Sequence, residues 1–271
     1  MAKRHVLIPE GGLPATVLAP GDPGRVPVIG GLWQDYREVS FNREFRLARG
    51  WYEGVEIAAC STGIGGPSSE IALVELAGAG VRNFIRVGTC ASLQAHILPG
   101  DIVIQDSAVR LTGCVDAYVG REFPSVADRE VTWALVEACD RLGVSCHVGM
   151  TASTDSFFAG QGNEMAFGPD LMLDRDLVAR LSARRVATFE MEAAVFFALG
   201  SMLGLRTGSL CAVGSNRVTG ARTDPEASVV QACRVASLAG AILAGWDAVK
   251  VARGLRHLTP SALGLVGSTG G

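Results

Sequence analysis

Four short stretches of the chain bring together residue types that could do chemistry. In Asn83-Phe84-Ile85-Arg86-Val87-Gly88-Thr89-Cys90 an arginine stands inside an apolar run that reads as a buried strand. A guanidinium drawn into a covered sheet is costly unless an anion meets it. Arg86 therefore calls for a protein carboxylate or a bound oxyanion, and Gly88 and Thr89 directly after the run would give the latter backbone access and a hydroxyl. Thr188-Phe189-Glu190-Met191-Glu192-Ala193-Ala194 sets two carboxylates at spacing two where a strand passes into an apolar helix. Such a pair could act as general acid and base, bind sugar hydroxyls, or charge a helix N-terminus. A glycosidase pair is disfavoured, because its carboxylates stand roughly 5 to 9 Å apart across the substrate. In Ala19-Pro20-Gly21-Asp22-Pro23-Gly24-Arg25 glycine permits close backbone approach and Arg25 offers a forked donor to an oxyanion, the alternative being a tight turn with a surface arginine. Ser61-Thr62-Gly63-Ile64-Gly65-Gly66-Pro67-Ser68 is a glycine-rich turn opening a helix, which can cradle an anion or serve structure alone. It has neither the GxGxxG spacing nor a P-loop lysine, so nucleotide phosphate binding is unsupported.

These stretches need elements to hold them. Apolar, β-branched runs alternate with longer helical patterns, the mark of an α/β fold with a mostly parallel sheet. Strands are expected at 16–19, 46–52, 55–61 (joined by a hairpin at Glu53-Gly54), 83–87, 101–109, 145–153, 187–189 and 207–213, and helices at 68–78, 129–142, 170–183, 192–203 and 225–253. The four stretches all follow strands, where ligands collect in open α/β sheets. A single domain over 1–253 and a poorly ordered tail over 254–271, ending Gly-Ser-Thr-Gly-Gly, fit the 271-residue length.

Composition narrows the function. With 48% hydrophobic and 19% charged residues and a net charge of -3, the chain reads as well cored, and no basic face suggests nucleic acid. Only Lys3 and Lys250 among the 24 basic residues are lysine. The seven cysteines are odd in number and form no CxxC pair, which reads as reduced thiols in a cytoplasmic protein without a metal site. No apolar run approaches the roughly 18 residues of a membrane span, and no secretion signal opens the chain.

Taken together, the segments resemble the nucleoside phosphorylase family, and within it the uridine phosphorylases. The resemblance is carried by the stretches above through Phe189-Glu190-Met191-Glu192-Ala193, together with Asn42-Arg43-Glu44-Phe45, Gly100-Asp101-Ile102-Val103 and Glu122-Phe123-Pro124-Ser125-Val126-Ala127-Asp128. It implies a three-layer α/β/α fold around a distorted, mixed, mostly parallel sheet, in an oligomer built from dimers, often a hexamer. It also implies a reaction without metal or cofactor, in which inorganic phosphate as co-substrate attacks C1′ of a ribonucleoside to give ribose 1-phosphate and the free base. By position the phosphate would meet Gly21, Arg25, Arg86 and Thr89, with Arg43 supplied by a neighbouring subunit. The ribose would meet Glu190, Met191 and Glu192, and His5 would reach a neighbour's ribose 5′-hydroxyl. No side-chain nucleophile is needed; positioning and electrostatics lower the barrier.

The resemblance weakens at the base. Uridine phosphorylases present a glutamine and, two residues on, an arginine to uracil; the matching stretch Phe157-Phe158-Ala159-Gly160-Gln161-Gly162-Asn163 keeps Gln161 and puts Asn163 in the arginine's place. A neutral amide supplies no charged fork for a departing uracil anion, so either Arg217 compensates or the base differs. Val213-Gly214-Ser215-Asn216-Arg217, where branched apolar side chains usually pack on the pyrimidine, leaves more room and polarity, so a larger or purine base enters as an alternative. A phosphate-independent nucleosidase and a catalytically weak nucleoside-binding homologue are the remaining rivals.

Overall fold

The computed structural model describes residues 5–163, 174–259 and 264. The described residues form nine strands and six α-helices: β1 (Thr16–Pro20), α1 (Arg25–Gly30), β2 (Gln34–Asn42), β3 (Phe45–Tyr52), β4 (Val55–Cys60), α2 (Gly66–Gly78), β5 (Asn83–Ser92), β6 (Ile102–Leu111), α3 (Arg129–Leu142), β7 (Cys146–Thr154), α4 (Leu177–Ala183), β8 (Thr188–Glu190), α5 (Ala193–Leu203), β9 (Arg206–Asn216) and α6 (Glu226–Arg253). The strands lie in the order β2-β3-β4-β1-β5-β8-β7-β6-β9, with β5 also paired to β9. That last pairing closes β5, β8, β7, β6 and β9 into a ring, while β1 to β4 extend from it as an open sheet. The sheet is mixed: β1–β4, β1–β5, β5–β9, β6–β7 and β7–β8 are parallel, and β2–β3, β3–β4, β5–β8 and β6–β9 antiparallel.

Strand alternation builds the layers. Leu18, Ile57, Ala59, Ile85 and Val87 face one apolar core with α1, α3 and α6. Their neighbours Val17, Ala19, Ala58, Cys60 and Phe84 face a second core with α2 and α5. Side chains at i and i+2 share a face of a strand, so Arg86 is sent with Phe84 towards the α2/α5 layer. The register agrees, pairing Arg86 with Ala19 across β1. The helix α3 begins where its sequence says it should: the Asp128 carboxylate accepts from the backbone N–H groups of Glu130 and Val131, and Gly143 closes it at φ 63°.

Several expectations need correction. The strands β5 and β9 run on to Ser92 and Asn216 rather than stopping at 87 and 213, so Gly88 and Thr89 lie within β5 and pair with Cys211 and Ala212. The edge strand β2 and the six-residue α1 were not expected at all; β2 is polar on both faces and α1 is bounded by glycines, so neither shows a hydrophobic period. The helix expected over 170–183 begins at Leu177, and its first four positions lie outside the described residues. Although no membrane-length run was expected, α6 is long and apolar enough to cross a bilayer by length and composition; more than half of its apolar window is buried inside the protein. Of the tail expected over 254–271, residues 254–259 and 264 are described, with Leu258 at 5% exposure; the others lie outside the described residues.

Candidate active site

A cleft of about 780 Å³ opens where the carboxyl ends of β1, β4, β5, β7, β8 and β9 converge, and all four chemical stretches contribute to it. At its floor Arg86 is almost fully buried, and its Nη2 donates to Glu192 and lies 3.2 Å from Glu190 Oε2. Of the two anions open to Arg86 in the sequence, the protein carboxylate is therefore present. Its Nη1 donates to Cys211 Sγ at 3.2 Å. The turn of the guanidinium back along its own strand passes over Gly88, where any Cβ would fall on the guanidinium and lie 2.7 Å from Cys211 Sγ. Glycine is thus required at 88 for close approach, not for a turn. Burial works against the charge on Arg86, but Glu192, Cys211 and Glu190 outweigh it and hold its pKa well above the ordinary arginine value.

The two glutamates have different duties. Glu190 Oε2 accepts from the N–H groups of Glu192 (2.8 Å) and Ala193 (2.7 Å), capping the first turn of α5, and Oε1 accepts from Ser153. Burial, with Glu192 alongside, raises its pKa despite the attraction of Arg86. Glu192 Oε1 accepts from Gly65 N–H at 2.6 Å, at the glycine-rich turn that opens α2. Each Glu192 oxygen keeps a second lone pair for a donor entering the cleft.

Three arginines in the cleft, Arg25, Arg217 and Arg222, have no carboxylate partner among the described residues. Arg25, at the start of α1, donates from Nη1 to Val87 O at 2.8 Å; burial lowers its pKa, and Asp22 is turned to Gly24 N–H at 2.7 Å. Beside it are Gly21, packed so closely that a Cβ would lie 3.1 Å from Gly63 O, and the exposed Thr89. On the far side of β8, Arg217 donates from Nη2 to Asn163 Oδ1, while Asn163 Nδ2 is anchored on Phe157 O at 2.5 Å. The Nε of Arg217 is buried with no hydrogen-bond partner among the described residues. Burial, then Arg222, lower the Arg217 pKa, and no acid opposes them. Gln161 Nε2 donates to Thr154 Oγ1 (3.1 Å) and Glu190 O (3.4 Å), which leaves Oε1 as an acceptor that no described residue uses.

The chain matches the model of the phosphorylase superfamily over residues 16–244. It belongs to that superfamily. It is 48% identical over 260 residues to a uridine phosphorylase of Thermococcus kodakarensis, covering 96% of this chain and 93% of the relative. A uridine phosphorylase of Escherichia coli is 38% identical over 79% of this chain and 85% of its own. A guanosine phosphorylase of Halorubrum lacusprofundi is 39% identical over 81% of this chain and 86% of its own.

In this superfamily member the structure brings Gly21, Arg25, Arg86, Thr89, Phe157, Gln161, Asn163, Glu190, Met191, Glu192, Gly214, Ser215 and Arg217 to one cleft. His5 and Arg43 do not line it. His5 Nδ1 lies 2.8 Å from Glu75 Oε1, and Arg43 is exposed at the β2–β3 turn with φ 55°. Among the lining or supporting residues that went unassigned in the sequence are Glu44 and Ser68, joined at 2.8 Å, Cys211 beneath Arg86, and Arg222. Glu44 sits beside Arg43 in a stretch already noted; Cys211 becomes visible only through its pairing with Gly88.

Proposed function

We propose that the cleft performs phosphate-dependent cleavage of the N-glycosidic bond of uridine or a related ribonucleoside. A phosphate oxygen attacks C1′, the C1′–N bond breaks with its electron pair leaving on the base, and the products are ribose 1-phosphate and free base. The observation that carries this reading is the pair of acid-free arginines, Arg25 and Arg217, on either side of the carboxylate pair in one cleft. An uncompensated guanidinium in a partly buried site is stabilised when an anion arrives.

Phosphate is placed at Gly21, Arg25, Arg86 and Thr89. Arg86 also tethers Glu192, whose negative charge beside C1′ favours the oxocarbenium-like transition state and whose free lone pairs accept from ribose hydroxyls. Met191 lines the ribose position and Glu190 holds α5 and Glu192 in place. At the base, Gln161 Oε1 accepts an N–H while the Arg217 guanidinium donates to the adjacent carbonyl and takes up the charge of the leaving base. Asn163 orients Arg217 rather than replacing it. This donor and acceptor order matches the N–H/C=O edge of uracil, and also of guanine, and is the reverse of the edge of cytosine or adenine. A 6-oxopurine nucleoside is therefore the second reading, supported by the guanosine phosphorylase among the relatives and by Gly214 and Ser215 in the wall. Because phosphate is the nucleophile, no resident cofactor or metal enters this scheme.

The reading includes an oligomer built from dimers, in hexamers, with Arg43 and His5 serving a neighbouring cleft; the exposed position of Arg43 at a hairpin tip supports the reach of that one side chain. The seven free cysteines support a cytoplasmic, reducing location, and release of free base and ribose 1-phosphate there would serve nucleoside salvage.

Base release from uridine, thymidine, cytidine, inosine, guanosine and adenosine, each with and without phosphate, tests the reading. Phosphate-dependent release from uridine, or from inosine and guanosine, with cytidine and adenosine inert is expected. Equal release without phosphate would establish a nucleosidase, and binding without turnover a nucleoside-binding homologue.

A further inference from the structure

In the uridine scheme the wall formed by Gly214, Ser215 and Arg222 makes no contact assigned so far. Glycine at 214 is demanded neither by backbone nor by packing: its φ is not in the left-handed region, and a Cβ there would meet Pro225 Cγ at an ordinary 3.7 Å and Cys90 O at 4.0 Å. A side chain would fit the fold, so its absence leaves open volume in the cleft. Ser215 follows with a half-buried hydroxyl. A tight turn after β9 then brings the chain back, with Asn216 N–H on Ala221 O (2.8 Å) and Thr223 N–H on Gly214 O (3.0 Å), and pairs Arg222 with Ser215 in an isolated bridge. Arg222 lines the cleft and makes no ion pair or side-chain hydrogen bond with any described residue.

This wall is contiguous with Arg217, so a substituent on the ring atom next to the carbonyl that Arg217 holds would run along it. In uracil that carbonyl is flanked by C5 or, at the other carbonyl, by N1. The second carries the ribose, which leaves C5.

We propose that the cleft accepts uridines bearing a carboxylate substituent at C5, with Gly214 giving the room and Arg222 the counter-charge. This rests on the uridine reading above and adds a substrate class to it: nucleosides whose base was carboxylated or carboxymethylated before the sugar was removed. An aliphatic or aromatic side chain at 214 would fill the volume, and a neutral residue at 222 would leave the carboxylate without a partner. Because Arg222 is exposed, solvent and salt weaken the pairing.

The test compares kcat/KM for 5-carboxymethyluridine, 5-methyluridine and uridine, with phosphate, in the native protein and in Arg222→Gln and Gly214→Val. In the native protein the carboxymethyl substrate is expected within about tenfold of uridine. In Arg222→Gln the ratio of carboxymethyl to methyl substrate should fall about fivefold, in line with one charge-assisted hydrogen bond at an exposed site, and added salt should reduce the native ratio in the same direction. Gly214→Val should lower both substituted substrates relative to uridine. Rejection of the carboxymethyl substrate by the native protein, or a ratio that Arg222→Gln leaves unchanged, would overturn the inference while uridine turnover left the phosphorylase reading standing. Loss of uridine turnover in the native protein would count against that reading instead.

Discussion

The strands β5 and β9 carry an arginine-centred ion cluster towards each end, and the two clusters are built on opposite rules. At the amino ends, Arg206 pairs with Glu130 (2.8 Å) and Asp247 (2.5 Å), and Lys250 with the same two acids (2.6 and 2.9 Å). Two cations meet two acids at a partly buried site, with Asp247 the most exposed of the four. Hydrogen bonds from Lys250 and Arg206 outweigh burial and hold both Glu130 and Asp247 below the ordinary carboxylate range. At the cleft, one buried arginine meets two buried glutamates, one of which has its pKa raised, while Arg25 and Arg217 close by have no acid at all. Charge is balanced where it only holds strands and helices together, and left unbalanced where a ligand has to complete it.

The largest expected break in this contrast is Glu192→Ala. It removes the carboxylate nearest Arg86 and the acceptor for Gly65 N–H, so the unfolding free energy should fall by about 3 to 5 kcal/mol in denaturant melts. Activity should fall about a thousandfold or more with uridine and phosphate. A variant with native stability would show that the cluster does not depend on Glu192. Gly88→Ala comes next: the methyl group displaces the Arg86 guanidinium, at a cost of about 1 to 3 kcal/mol, and should raise KM for phosphate at least about tenfold. An unchanged phosphate KM would remove Arg86 from the phosphate site.

The acid-free arginines should behave differently, with activity moving and stability hardly so. Arg25→Gln loses one bond to a carbonyl, worth about 1 kcal/mol of folding, yet should raise phosphate KM about ten- to a hundredfold with little change for the nucleoside. Asn163→Ala frees Arg217 and should lower kcat/KM for uridine about tenfold while narrowing the preference over cytidine. If discrimination is kept, Asn163 does not position Arg217.

These predictions rest on a site only partly legible in the sequence. The strand ends near Pro20, Cys60 and Glu190 could be placed within a residue, at 19, 61 and 189, because apolar runs stop there, and the exact span of α3 followed from Val131, Leu135, Ala138 and Leu142 at helical spacing. Arg86 announced itself as a cation in an apolar strand. Its partners were ambiguous, because the carboxylates that meet it come from β8 and α5, about a hundred residues later, and only alternation and register bring them under it. Gly88 was taken for a strand end since glycine usually marks one; here it is interior, and the reason is a side chain two residues away. The place of Asn163 could not be read as support for Arg217, because the two are separated by 54 residues.

The smallest expected effect lies at the amino-end cluster and has a sign that separates the two. Glu130 and Asp247 have depressed pKa values, so their contribution is fully present above about pH 4.5 and is lost as pH falls through the carboxylate range. Glu190, with a raised pKa, does the reverse: stability falls as pH rises through its titration. Asp247→Asn should flatten the acid limb of stability against pH by less than about 1 kcal/mol, as suits the most exposed of the four groups, and leave uridine turnover unaltered. A change in turnover would mean that the two ends are coupled.

The most direct test of the whole account is the chemical identity of the sugar product. With uridine and inorganic phosphate, phosphorus NMR should show ribose 1-phosphate formed in step with uracil, one for one. Free ribose accumulating at the rate of uracil release would contradict it.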